Sequence, residues 1–358
     1  MAPFALTLRS AAPPGDRAAQ ARRLTAALAL LALGVSAASL GWGAAGLPLT
    51  ETMGTLLRGE ALGTREAVIL YDIRLPRLAM GFLVGAALAV SGALMQGLFR
   101  NPLADPGIIG VGAGAGLGAV LAIVLGGLLP AGFAALVGGH LVSVAAFLGG
   151  WIATLLLYRV ATRGGQTSVA TMLLAGIALG ALAGAVTGIL IFLADDRQLR
   201  DLTFWGMGSL AGASWAKIAT ALPLILPVLL LSPLLARGLN ALALGEATAA
   251  HLGVAVERIK RLAILGTAAS AGAAVAIAGG IGFVGIVVPH LLRLASGPDH
   301  RHLLPNSALL GGTLLVAADM VSRSIVAPAE LPIGIVMAVI GAPVFLWILL
   351  RRQGLGGL

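Results

Sequence analysis

Cysteine is absent from all 358 residues, which excludes disulfides, thiolate metal sites and cysteine nucleophiles. Charge is nearly as scarce. Only 10% of the chain is Asp, Glu, Lys or Arg, where a soluble domain carries about 25%. The 23 basic and 14 acidic side chains cannot cover a water-soluble globule of this length, so that class is excluded as well. Lysine occurs only as Lys217 and Lys260. A nucleotide-hydrolysing loop needs Gly-x-x-x-x-Gly-Lys-Ser/Thr, with the lysine on the phosphates, and neither Trp-Ala-Lys-Ile nor Ile-Lys-Arg fits. If ATP drives this protein, another chain hydrolyses it. The net charge of +9 therefore rests on arginine. Spread along an apolar chain, it reads as loop bias, with no nucleic-acid partner expected.

What is present is apolar: 59% hydrophobic residues, 51 glycines and a mean hydropathy of +1.01. About 20 apolar residues cross the ~30 Å hydrocarbon layer as a helix, so uncharged runs mark the spans. They fall at Leu24–Thr50, Leu78–Phe99, two within Pro106–Tyr158, Gly164–Ala194, Ile218–Ala236, Leu262–Leu292, Leu303–Ala318 and Leu331–Leu350. Gly126–Pro130 is the turn that divides the longest run. Gly279-Gly280 divides Leu262–Leu292 into two spans, because ten crossings place fifteen basic residues, from Arg9 and Arg17 to Arg351 and Arg352, on one side. The expected fold is an all-α polytopic membrane protein with about ten transmembrane helices and both termini cytoplasmic. A cytoplasmic tail covers residues 1–23, one transmembrane domain 24–352 (with its longest cytoplasmic loop at about 237–261), and a tail 353–358. Arg17, Arg22 and Arg23 before an apolar run also suit a signal peptide, but further spans follow at once and a retained first helix is the better reading. Gly85–Val90 and Gly272–Ile277 echo each other on helices of opposite direction, as an inverted repeat does.

Several short segments carry chemistry. Arg74 and Arg77 in Tyr71-Asp-Ile-Arg-Leu-Pro-Arg77 lie three apart on one helical face. They sit on the outer side, against the charge trend, and call for an acidic partner; Arg323 lies near the same end. Asp319 is a functional candidate as an acid near a span, or equally an ion-pair partner of Arg323 at i+4. In Arg100–Gly110, Pro102 ends one helix, and Asp105 with Pro106 starts the next. Gly110-Val-Gly-Ala-Gly-Ala115 matches a loose dinucleotide pattern but follows no strand, so glycine-mediated helix contact explains it better. Within Leu244–Val254, Gly245 opens a short helix with Glu246 in its first turn, and Gly253 closes it. Alone such a helix is marginal in water, so it is expected to dock on another protein. His290, His300 and His302 match no metal spacing, and His140 reads as a packing residue. No metal site and no cofactor are expected.

Taken together, Arg74-Leu-Pro-Arg77, Ser91–Gln96, Asn101–Gly107, Leu252-Gly-Val254, Gly282–His290, Gly297–Arg301, Glu330–Ile335 and Gly341-Ala-Pro343 resemble the permease subunits of bacterial ABC importers for iron chelates, haem and vitamin B12. They run in order through nearly the whole chain. The resemblance implies a homodimer in the bacterial inner membrane, two cytoplasmic ATPase subunits and a periplasmic substrate-binding protein. It implies that Arg74, Arg77 and Arg323 receive glutamates of the binding protein, and that Gly245, Glu246, His251, Leu252 and Gly253 contact the ATPase. The run Leu193–Leu210 looks most like the haem branch, with Arg197 and Arg200 at the outer entrance of the path. A ferric siderophore and cobalamin are the second and third choices of cargo. An ion-coupled secondary transporter is a remote alternative, since it needs ionisable groups at mid-membrane.

Overall fold

Lipid offers a backbone nothing to hydrogen-bond, so a chain this apolar satisfies its own N–H and C=O groups by coiling into helices. The structure is a computed structural model that describes residues 14–42, 49–130, 132 and 137–353. Its helices are α1 (Pro14–Gly41), α2 (Leu49–Leu57), α3 (Thr64–Leu98), α4 (Val111–Leu125), α5 (Leu141–Ala161), α6 (Val169–Leu193) and α7 (Asp196–Met207). They continue with α8 (Trp215–Leu231), α9 (Ala236–Leu242), α10 (Glu246–His251), α11 (Val256–Ala278), α12 (Val284–Ser296), α13 (His300–Ser322) and α14 (Ile333–Gln353). A short antiparallel pair, β1 (Thr162–Arg163) with β2 (Gln166–Thr167), closes a hairpin between α5 and α6. Among the described residues, eight helices are long and apolar enough to cross a membrane, and α12 and α14 contribute two shorter apolar ones. Ten crossings result, as the uncharged runs suggest.

Boundaries move where polar residues find partners. The first helix starts at Pro14 rather than Leu24, because Gln20 Nε2 donates to Ala295 O (3.1 Å) and Ala21 is buried. It ends at Gly41, leaving Thr50 in α2. The second span starts at Thr64 rather than Leu78. Charge-free windows miss that stretch because they treat Arg74 and Arg77 as solvated, whereas both are buried inside the protein. Here the helix also widens into a π-helical stretch, Val68–Arg74. The fourth span begins after a 3-10 turn at Gly138–His140, not directly after Pro130. Arg9, residues 1–13 of the N-terminal tail and 354–358 of the C-terminal one lie outside the described residues.

Helices in lipid associate by close packing, since burial of apolar surface gives no net gain there. Small residues make that packing tight. Gly85 of α3 meets the backbone of Gly311 in α13, and Gly114 of α4 meets Gly149 in α5. Gly110 and Gly114 of the Gly110–Ala115 run thus serve helix contact, as their setting suggests, whereas Gly112 faces open space. Enclosed by α11, α12 and α13, α3 is buried along most of its length, whereas α1, α6 and α8 stay largely exposed, as lipid-facing helices do.

A side chain at Gly85 would collide with Gly311 backbone, which cannot yield. Gly85→Val is therefore expected to cost at least ~1–3 kcal/mol of stability and to reduce the monodisperse fraction in detergent. Gly112→Ala, where nothing lies within 4 Å, is the control and should leave thermal unfolding nearly unchanged.

Candidate translocation cavity and its polar ends

With 13 residues, α12 is about 20 Å long, short of the ~30 Å hydrocarbon layer. The missing length is made up by Gly279–Phe283, the non-helical link after α11. Backbone of this kind is tolerated at membrane depth only inside protein or beside a water-filled cavity, and such a cavity is there. It holds about 440 Å³, and Leu88, Val111, Ala271, Val275 and Ile281 give it aliphatic walls. Trp205 and Gly206 reach it from the end of α7. That end is held by Ser209 N donating to Ala278 O (2.8 Å) and Ile333 N donating to Gly208 O (3.1 Å), which joins it to α11 and α14.

Asp105 is the one carboxylate in this wall. It caps the 3-10 turn Pro106–Ile109 by accepting from Gly107 N (2.8 Å), the role its spacing suggests. Burial pushes its carboxyl above the ordinary value, with the Gly107 bond opposing. The sequence identifies the cap but not the cavity, because the other walls come from segments about 100 and 180 residues further on.

At the end of the bundle where α3 begins, three arginines tie four segments together. Arg77 Nε and Nη2 hold Asp319 of α13 (2.8–3.0 Å), while Nη1 and Nη2 hold Glu330 just before α14 (2.7 and 2.9 Å). Arg323 Nη2 donates to Ser39 O and Oγ of α1, each at 2.8 Å, and its Nε lies 3.7 Å from Asp319 Oδ2. Arg74 donates to Leu40 O. Within the chain Arg77 thus has two acidic partners, and Asp319 pairs with Arg77 first and Arg323 second. Arg74 is only 4% exposed, and Arg77 and Arg323 are likewise buried, so none projects freely outward. Three cations face two anions here. Glu330, at 35% side-chain exposure, is the most accessible member of the Arg77 cluster. Arg197 and Arg200 lie exposed on α7, among Asp195, Asp196 and Asp201.

At the opposite, basic end, α10 follows Gly245, whose φ of 106° suits glycine. It has six residues, Glu246–His251, shorter than the span between the flanking glycines suggests. Lys260, 2% exposed, anchors it: Nζ donates to Glu246 Oε2 (2.7 Å), Glu257 Oε1 (3.0 Å) and Thr167 O (2.9 Å). The sequence signals only the Glu257/Lys260 spacing of three; the reach to the hairpin is tertiary. Leu252 and His251 are exposed at the tip. His300 and His302 line a cavity at this same end, His290 is buried in α12, and His140 borders an apolar groove with Phe147 and Leu148. Among the described residues no three His, Asp or Glu side chains gather as a metal site.

Apolar helices that cross a membrane, a cavity among α3, α4, α7, α11 and α12, and a polar cluster at each end suit the membrane-spanning subunit of a transporter. The chain belongs to the FecCD transport family, which it matches over residues 29–351. It is 48% identical to the hemin transport system permease protein HmuU of Yersinia pestis over 282 residues, 79% of this chain and 83% of that one. It is 47% identical over 286 residues to the cobalamin import system permease protein BtuC of Halobacterium salinarum, 80% of this chain and 74% of that one. A solved metal-chelate type ABC transporter in an inward-facing conformation superposes with a TM-score of 0.80 at 32% identity, covering 92% of this chain and 99% of the other. The protein is thus an ABC importer permease, a multi-pass protein of the bacterial inner membrane, and its basic end faces the cytoplasm by the positive-inside rule.

Removing one member of a buried ion pair strands the other, which costs about 3–5 kcal/mol. Arg77→Met is expected to lower the unfolding temperature of the purified permease markedly, and Arg77→Met with Glu330→Leu to recover part of that loss, because Asp319 keeps Arg323 as a partner. Equal stability of Arg77→Met and the parent would show that the cluster does not hold the helices.

Proposed function

We propose that this permease, as a homodimer, forms the path by which haem crosses the inner membrane, with a periplasmic substrate-binding protein above and two ATPase subunits below. The observation that carries the reading is the wall of the 440 Å³ cavity. Glycines, aliphatic side chains and Trp205 line it, with Asp105 alone charged and no His or Met among them. A flat, mostly apolar porphyrin suits such a wall, and a path that must release its cargo gains by lacking a strong axial iron ligand. The likeness of Leu193–Leu210 to the haem branch and the 48% identity to a hemin permease support this choice. Cobalamin is the second reading, favoured by the 47% identity to a cobalamin import permease.

The ATPase docks on α10. Leu252 is 63% exposed and Leu244 is exposed too, beside Glu246, His251 and the bounding Gly245 and Gly253. An exposed leucine at the tip of a short helix gains by entering a groove on a partner. The binding protein docks at the other end, where its carboxylates reach Arg74, Arg77 and Arg323 by displacing Glu330, the accessible acid of that cluster. Arg197 and Arg200 border the entrance.

Proteoliposomes with the permease, its ATPase and the cognate binding protein should take up haem only when ATP is supplied. Transport of cobalamin or a ferric siderophore, but not haem, under the same conditions overturns the choice of cargo.

Leu252→Asp should break coupling, because an unpaired charge in a buried contact costs several kcal/mol. Complex assembly or uptake should fail while the permease itself unfolds at its usual temperature. Normal assembly together with normal uptake places the ATPase elsewhere.

A further inference from the structure

A second cavity, of about 660 Å³, opens at the basic end between α3, α9, α12 and α13. Gln96, Arg100, Asn240, Arg293, His300 and His302 are in its wall. Among the described residues neither Arg100 nor Arg293 has a carboxylate partner; Arg293 donates to the neutral Gln96 Oε1. The one acid in the wall, Asp299, is already engaged, accepting from Asn240 Nδ2 (2.6 Å) and Arg301 N (3.0 Å). Burial works against its charge, but these two donors and the positive charges of Arg301 and His302 hold its carboxyl below the ordinary range. His300 is only 5% exposed. Its Nδ1–H donates to Asn240 Oδ1 (2.8 Å), which leaves the buried Nε2, beside Gly97 of the same wall, as an acceptor with no hydrogen-bond partner among the described residues.

Backbone conformation singles out Arg100 again. Its φ is 49°, in the left-handed region where a helix normally ends on glycine. A side chain held there at a conformational cost points to a role for it.

We propose that this cavity binds a phosphoryl oxyanion, either the phosphodiester of an anionic lipid headgroup or free inorganic phosphate. Two guanidiniums without a carboxylate partner supply donors and positive charge, and the one acid in the wall is already engaged. Basic pockets between helices on the cytoplasmic side are suited to anionic headgroups. The volume exceeds what one phosphate needs and leaves room for a glycerol backbone.

The test uses the purified permease–ATPase complex in two arms. In one, the complex is delipidated from membranes containing phosphatidylglycerol and cardiolipin, and retained lipid is read by mass spectrometry. In the other, inorganic phosphate is titrated into the complex in phosphatidylcholine nanodiscs and the unfolding temperature is followed. Arg100→Gly relieves the backbone and so keeps the fold, while Arg293→Gln removes the second cation. Retained anionic lipid, weakened about fivefold or more in Arg100→Gly, identifies the headgroup. A saturable rise in unfolding temperature with phosphate, reduced in Arg100→Gly, identifies the free ion. Neither retention nor a phosphate response in the parent protein overturns the proposal. So does a response that is undiminished in Arg100→Gly or in a folded Arg293→Gln.

Discussion

A bilayer supplies no water to a broken helix, and that single constraint decides where this protein can do anything besides span. Helix α12 stops short and Gly279–Phe283 takes over. The end of α7 is tied by backbone hydrogen bonds to α11 and α14. These interruptions meet at one cavity because each needs the others, or water, to satisfy its peptide groups.

Charge follows a similar economy. Few ionisable groups exist, and the buried ones described here are concentrated near the two ends. Arg77 binds two carboxylates on two other segments, and Lys260 gathers two carboxylates and a carbonyl. Each guanidinium or ammonium acts as a fastener between elements that share no apolar incentive to stay together. The glycine crossings at Gly85 and Gly114 supply close contact between neighbours, while the ion clusters fix how helix ends line up.

Much of this could be read from the sequence. The ten crossings, the Asp105 cap, the division at Gly279-Gly280 and the short helix after Gly245 are local events, set by hydropathy, capping residues and glycine. What escaped reading was long-range. Arg77 and Glu330 are 253 residues apart, and no pattern in Tyr71–Arg77 points to Glu330. Treating Arg74 and Arg77 as surface charges also hid the first turns of α3, since a span search stops at charge. The link from Lys260 to Thr167 across 93 residues was hidden in the same way.

The Lys260 ammonium joins the first turn of α10, the first turn of α11 and the hairpin, so these three travel together or one loses its partner. Helix α11 then runs unbroken for 23 residues, about 35 Å at 1.5 Å per residue, and ends where Gly279 begins the cavity link. Mechanically it is a pushrod: one end is gripped beside the exposed cytoplasmic tip, and the other bears on the non-helical link Gly279–Phe283 that borders the cavity.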